Sequence, residues 1–291
     1  MATGQPSSVS IILPAFNEEK SIAGVLKGLD EWRARAEIIV VDDASTDCTA
    51  KIAEQAGARV IRHRVNRGYG GALKTGIRAA SGDVIVMMDA DSEHSASQIA
   101  SLLDVLGDND MVVGARGRGS HAPKLRRPGK WILSQVANYL AQTEIPDLNS
   151  GLRAFRKEVV KRFLHILPNG FSFTTTITLA LYKAGYSIVY VPIITTARVG
   201  SPSTVNPIRD GLNTIMLIIR IIALFDPLRV FIPTSAVLFF TGIIYWIADN
   251  LTRNHLNIPT GALMMILASI MIFMFGILAD QVSAIRREKY E

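Results

Sequence analysis

Asp89-Ala90-Asp91-Ser92-Glu93 places three carboxylates in five residues, directly after an apolar run at 84–88. In a strand, residues i and i+2 point to the same side, so Asp89 and Asp91 converge if strand geometry persists through Ala90. Hard oxygen ligands at the exposed end of a buried strand suit Mg2+ or Mn2+ held together with substrate phosphates. An acidic turn after a strand would carry the same residues with no metal. The rest of the chain has to decide between the two.

Three further clusters hold residues of the same kind. Pro14-Ala15-Phe16-Asn17-Glu18 follows the apolar run 9–13, and Asp42-Asp43-Ala44-Ser45-Thr46-Asp47 follows the run 37–41. Asp147-Leu148-Asn149-Ser150-Gly151-Leu152-Arg153 comes after a basic stretch, 114–128, that is rich in Gly and Pro and contains Arg116, Arg118, Lys124, Arg126 and Arg127. That stretch reads as a mobile loop, and a solvated surface is its plainer reading.

The elements that must hold these clusters follow from periodicity. Strand patterns at 9–13, 37–41, 59–61, 83–88 and 111–113 alternate with helical patterns at 18–32, 46–57, 70–80 and 96–106. Ser45 or Thr46 is placed to cap the second helix. Strands separated by helices of this length predict right-handed βαβ units and a mainly parallel sheet. Ligands then bind beyond the carboxyl ends of the strands, where Asp42, Asp43, Asp89 and Asp91 lie. Further helices are predicted at 130–142, 157–164 and 173–184, with a strand at 187–191 and a loop at 147–151.

Hydrophobic residues form 49% of the 291 and the net charge is +6. A mean hydropathy of +0.27 is high for a chain with 19% charged residues, which points to concentrated membrane segments. On charge alone, anionic lipid, phosphorylated substrates and nucleic acid are all open as partners. Cys48 is the single cysteine, so an intrachain disulfide is excluded and a reducing compartment fits. The first ten residues lack a basic region followed by a long apolar stretch, so no cleaved signal is read.

Residues 208–225 are apolar but interrupted, with Arg209, Asn213 and Arg220 on one helical face, and they read as an interfacial amphipathic helix. A buried core helix is the alternative. Residues 230–248 carry no charge and at ~1.5 Å per residue reach about 28 Å. The charge-free run 256–279 is long enough to span from Thr260 onward. Arg220 and Arg229 precede this hairpin, Arg286, Arg287 and Lys289 follow it, and Arg253 is the one basic lysine or arginine between. The positive-inside rule places both termini and the N-terminal domain in the cytoplasm. The expected division is 1–203, 204–227 and 228–291.

With four clusters in this order, residues 8–212 resemble the family 2 glycosyltransferases of GT-A fold, and within them the polyprenyl-phosphate sugar transferases of the dolichyl-phosphate mannose synthase kind. The resemblance implies a Rossmann-like, mainly parallel α/β catalytic domain. It implies transfer of a hexose from a nucleotide diphosphate sugar, GDP-mannose or UDP-glucose, to dolichyl or undecaprenyl phosphate with inversion. Pro14, Phe16, Glu18, Val41, Asp42, Asp43, Asp89, Ala90 and Asp91 would bind the nucleotide sugar. Asp89, Asp91 and Glu93 would hold Mg2+ or Mn2+. Arg116, Arg127, Lys130, Ser134 and Arg198 would bind the acceptor phosphate, with Asp89, Asp91, Arg116 and Arg198 carrying the chemistry. Asp147 would face the sugar hydroxyls. The partners implied are a nucleotide sugar, a polyprenyl phosphate and the membrane, with no nucleic acid. Self-association through the hairpin stays open.

The chain departs from that family in two places, and a third stretch bears on the acceptor. Glu93 stands where the family usually has Gln, ahead of His94, which is read as a structural hydrogen-bonder. Ser203 stands near the place of a Lys. Phe171-Ser172-Phe173-Thr174-Thr175-Thr176 has threonine where enzymes that glycosylate hydroxyls carry a carboxylate base. A phosphate acceptor is already an anion and needs no base, only cations to overcome repulsion. Asn66-Arg67-Gly68-Tyr69-Gly70-Gly71-Ala72 matches the family's Gly-rich helix start, and it lacks the full glycine pattern of a dinucleotide fingerprint. A processive polysaccharide synthase and a non-enzymatic nucleotide-sugar-binding subunit are the competing readings.

Overall fold

The computed structural model describes residues 8–117, 135, 138, 139, 143–195, 226–253 and 257–288. The expected interfacial helix at 208–225, most of the expected helix at 130–142, and Arg127, Lys130, Ser134 and Arg198 lie outside the described residues. The chain divides into two compact units, Met1–Gly211 and Leu212–Glu291.

The first unit is built on seven strands. They are β1 (Val9–Ala15), β2 (Ala36–Asp42), β3 (Arg59–Arg62), β4 (Val84–Met87), β5 (Met111–Arg116), β6 (Arg153–Arg156) and β7 (Ile188–Ile193). Their order is β3-β2-β1-β4-β6-β5-β7. Pairing is parallel except for β6, which runs antiparallel to both β4 and β5. Strand and helix patterns alternate as expected. Strand β6 at 153–156 is the one strand among the described residues that periodicity does not predict.

The helices are α1 (Ile22–Gly28), α2 (Thr49–Gln55), α3 (Tyr69–Ala79), α4 (Gln98–Leu106), α5 (Lys157–Phe163) and α6 (Phe173–Lys183), with a 3-10 turn at Asp30–Trp32. Side chains alternate across the strands. Ile11, Leu13, Val40, Val84, Val86 and Val112 therefore pack in one core with Leu26 of α1, Ala53 of α2 and Leu102 of α4. Ile12 faces the other way, toward Gly76 of α3. Helices on both faces largely bury the central strands β1, β2 and β4, which is why these read as apolar runs, whereas β3 at the sheet's end is exposed at both of its ends.

In the second unit, α7 (Leu228–Arg253) and α8 (Thr260–Glu288) form a hairpin. Both are long and apolar enough to cross a membrane, with mean hydropathy 1.9 and 2.6 in their spanning parts. They are little buried, unlike core helices of a soluble domain, and Phe240, Ile244, Met264 and Leu278 are exposed. The turn is tied by Trp246 Nε1–H to Asn257 O at 3.0 Å and by Asn257 N–H to Asn250 Oδ1 at 2.8 Å. The helices approach closely where Gly242 meets Met265 and Gly276 meets Phe231.

The amino edge of the sheet is tied by one carboxylate. Glu37 accepts from Ser10 Oγ at 2.9 Å, Ser81 N at 2.8 Å, Ser81 Oγ at 2.7 Å and Arg59 Nη1 at 2.5 Å. Burial alone would raise this carboxyl, but the donors from Ser81, Arg59 and Ser10 hold it at about 2, against an ordinary 4.5. The stabilisation is thus fully present above pH 4.5 and is lost as pH falls toward about 2. Glu37→Gln is expected to cost on the order of 2 kcal/mol at neutral pH. It also flattens the stability profile between those two pH values. Thermal melts of the full chain in detergent across that range check both effects.

Candidate active site

Register collects the clusters at one edge. Ala15 pairs with Asp42, and Ile12 pairs with Met87, so β1, β2 and β4 end near one another. The reversed strand β6 opposes Arg153 to Met87 and to Val113. Its preceding loop, residues 147–152, therefore reaches the same edge as the carboxyl ends of β4 and β5.

The loops after β1 and β2 are stitched together. Asn17 N donates to Ser45 Oγ at 2.9 Å, and Thr46 N donates to Asn17 Oδ1 at 2.9 Å. Glu18 N donates to Thr49 Oγ1 at 2.8 Å. Asn17 and Ala44 take left-handed conformations, φ 56° and 63°, to make these contacts. The expectation that Ser45 or Thr46 caps the second helix is corrected. Their hydroxyls serve the neighbouring loop, Cys48 holds the cap position of α2 without a side-chain bond, and Thr49 N donates to Asp47 Oδ1 instead. Pro14 and Val41 are buried beneath this wall, and Phe16 is exposed on it. Glu18 Oε2 accepts from Ser21 Oγ at 2.8 Å.

Asp42 and Asp43 divide two tasks. Both are buried. Asp43 spends its oxygens on the chain, with Oδ1 at 2.7 Å from His63 Nδ1 and accepting from Arg67 N at 2.8 Å, and Oδ2 accepting from Gly68 N at 2.7 Å. His63 Nε2 lies 2.9 Å from Thr75 Oγ1 of α3. Asp43 thus anchors the Gly-rich segment that opens α3. Asp42 Oδ2 accepts from Arg62 Nε at 3.3 Å, and its Oδ1 is buried without a hydrogen-bond partner among the described residues. A buried acceptor of this kind is costly unless a donor arrives.

β4 stops at Met87, so strand geometry does not persist through Ala90. The expected route to convergence of Asp89 and Asp91 is corrected: a turn carries them, with Ser92 at φ 66° and Glu93 N donating to Asp91 Oδ1 at 3.1 Å. Ala90 is buried under it. Tyr69 Oη donates to Asp89 Oδ1 at 2.8 Å, and His94 Nε2 lies 3.9 Å from Asp89 Oδ2. A Cβ on Gly151 would overlap the Asp89 carboxylate, so any side chain there would displace it. Burial and then the Asp91 charge raise the Glu93 carboxyl, while burial lowers His94. Among the described residues no three His, Cys, Asp or Glu side chains are already gathered as a cage. The donor set of Asp89, Asp91 and Glu93 is nevertheless all oxygen, and a divalent cation would relieve the repulsion that raises Glu93.

Arg116 makes a fork with Asp147, Nε to Oδ2 at 2.7 Å and Nη2 to Oδ1 at 3.0 Å. The hydrogen bond to Asp147 raises the guanidinium. Burial opposes the fall of the Asp147 carboxyl, but Arg116 holds it below the usual range. Asp147, expected at sugar hydroxyls, is thus engaged with Arg116, and Arg116 sits close enough to act on Glu93 and Asp89. Arg153 is fully buried and donates to Ser150 O at 2.8 Å, Leu148 O at 2.8 Å and Thr178 Oγ1 at 2.6 Å. It holds the loop from beneath. Thr174, Thr175 and Thr176 are buried on α6, and Thr175 Oγ1 donates to Asn149 Oδ1 at 3.1 Å. The helix therefore abuts the loop with hydroxyls.

Sequence reasoning missed Tyr69, His63 and the buried setting of Arg153. The Gly-rich run around Tyr69 is a visible signal, but nothing in its spacing points to Asp89.

Comparison with known proteins agrees with this geometry. Residues 10–164 match the glycosyl transferase family 2, and residues 226–285 match the GtrB C-terminal hairpin. The dolichyl-phosphate hexose transferase of Haloferax volcanii is 31% identical over 70% of this chain and 89% of its own length. The glycosyltransferase AglJ of the same organism is 28% identical over 98% of this chain and 96% of its own. The undecaprenyl-phosphate mannosyltransferase of Micrococcus luteus is 30% identical over 64% and 82%. In fold, the chain is similar to glucosyl-3-phosphoglycerate synthase from Mycobacterium tuberculosis, solved in complex with Mn2+, uridine diphosphate and glucosyl-3-phosphoglycerate. The TM-score is 0.60 at 22% identity, covering 75% of this chain and 79% of that one. With more than half its length matched, and with a GT-A-like sheet carrying the acidic turn at its carboxyl edge, the chain belongs to glycosyl transferase family 2.

Proposed function

We propose that the chain transfers a hexose, with inversion, from a nucleotide diphosphate sugar to a polyprenyl phosphate at the cytoplasmic membrane face. The observation that carries the reading is the pairing of an acidic, oxygen-only turn with Arg116 at one sheet edge, abutted by a helix bearing threonines in place of a carboxylate base. GDP-mannose and UDP-glucose are the donors tested first, and dolichyl and undecaprenyl phosphate the acceptors. The printed activities of the Haloferax and Micrococcus relatives support the acceptor class, and the Mn2+ and uridine diphosphate of the mycobacterial neighbour support the donor class.

In this mechanism Asp42 offers its unpartnered oxygen to a base N–H, between Pro14 and Phe16, and Glu18 takes a ribose hydroxyl. Asp89, Asp91 and Glu93 would hold Mg2+ or Mn2+, which supplies charge neutralisation for the leaving diphosphate. An acceptor-phosphate oxygen attacks the anomeric carbon as the bond to the nucleoside diphosphate breaks. The nucleophile is already anionic, so no proton has to be taken by α6. Arg116, oriented by Asp147, offsets the repulsion between the two phosphorylated substrates, together with Arg127, Lys130, Ser134 and Arg198. The hairpin anchors the chain in the membrane that carries the lipid acceptor, with both termini cytoplasmic.

Purified full-length chain in detergent, given labelled nucleotide sugars and a polyprenyl phosphate, should put label into the lipid-phosphate fraction. Label in polymer, or in no product, would refute the proposal. Asp91→Ala should abolish that transfer, and unchanged transfer would remove Asp91 from the metal set. Burial and the Asp91 charge raise the Glu93 carboxyl in the metal-free protein, so protons should compete with Mn2+ as pH falls and activity at subsaturating Mn2+ should decline on acidification. Glu93→Gln should move this acid limb to lower pH, and an unmoved limb would count against Glu93 as a ligand. Gly151→Ala, by displacing Asp89, should lower transfer about a hundredfold or more with circular dichroism unchanged.

A further inference from the structure

Tyr69 is the first residue of α3, and its hydroxyl donates to Asp89 Oδ1 at 2.8 Å. Its ring stacks on Phe171, with centroids 5.5 Å apart and planes 20° apart. The backbone on both sides is fixed. Gly68, at φ 83°, is held by Asp43 Oδ2. Gly71 N donates to Asn169 O at 3.0 Å, and Lys74 Nζ to Asn169 Oδ1 at 2.9 Å.

 The Gly71–Asn169 bond lies along the backbone of the loop 168–170, and a Cβ on Gly70 would overlap Pro168 O, so the glycines are what let α3 start this close to that loop. Tyr69 is therefore a fixed donor rather than an adaptable surface contact. A phenol keeps its proton at neutral pH, so Tyr69 Oη is the donor in this bond and the Asp89 carboxylate the acceptor.

We infer that Tyr69 is the positioning residue of Asp89, fixing the rotation of that carboxylate toward a divalent cation. This rests on the metal assignment made under the proposed function. A carboxylate that ligates a metal is commonly oriented by a hydrogen bond from outside the ligand set. On the remaining side, Asp89 is confined by Gly151, where any side chain would collide with it, and by His94 at 3.9 Å. The Phe171 ring restrains the Tyr69 ring, and Asp43 restrains its backbone through Gly68.

The test is a Mn2+ titration of the full chain in detergent, read by loss of the free-Mn2+ electron paramagnetic resonance signal, with no sugar donor present. Tyr69→Phe keeps the ring and its stack and removes only the donor. It should weaken Mn2+ binding about tenfold, the usual scale for losing such a partner, with the metal-free melting temperature close to wild type. Asp89→Ala, measured alongside, should remove the binding. Wild-type Mn2+ affinity in Tyr69→Phe, with binding lost in Asp89→Ala, would overturn the role of Tyr69 and leave the metal assignment standing. A lower melting temperature with unchanged Mn2+ affinity would also overturn it, because the contact would then be structural only. Unchanged Mn2+ affinity in Asp89→Ala would overturn both the metal assignment and the inference.

Discussion

The reversal of one short strand is the constraint on which the site depends. A wholly parallel sheet would deliver the segment before β6 to the amino edge, far from the acidic turn. Because β6 runs against β4 and β5, residues 147–152 arrive beside Asp89 and Arg116. Arg153 secures this arrangement from inside the protein. Its guanidinium is fully buried and is satisfied by two carbonyls of the loop and one hydroxyl of α6. Burial lowers its affinity for a proton, yet guanidinium remains charged in proteins. A cation is thereby kept beneath a cluster of carboxylates without being used as a direct partner for any of them.

Charge at this edge is balanced locally and unevenly. Asp43 and Asp147 are committed to the chain, one to backbone amides and His63, the other to Arg116. Asp42 is the less settled group, with one oxygen unpartnered among the described residues, and Glu93 has a raised carboxyl. Unsettled polar groups beside well-satisfied ones mark where a ligand has most to gain, since the chain has already met the cost of ordering the rest.

Much of this was legible in the sequence. The strand–helix alternation of the first hundred residues is set by local periodicity, and the acidic clusters stand at strand ends because polar residues there interrupt apolar runs. The hairpin was legible for the same reason: its apolar runs are long and free of charge. What was hidden depended on pairing between distant segments. Strand 153–156 is only four residues long, and the burial of its first residue, Arg153, follows only once β4 and β5 pair with it. The fork between Arg116 and Asp147 joins residues 31 apart, and the Tyr69–Asp89 bond joins residues 20 apart. Ser45 and Thr46 were misread as caps because hydroxyls near a helix start serve equally well to bridge a neighbouring loop.

The tie between Asn17 and the pair Ser45 and Thr46 has a consequence for how such a fold can diversify. Two loops that exchange hydrogen bonds in both directions behave as one wall, each depending on the other for its left-handed residue. Grafting either loop alone from a relative with a different donor would break the exchange and loosen the wall. Replacing both loops together would keep the exchange, so the two segments are structurally one unit despite their separation along the chain.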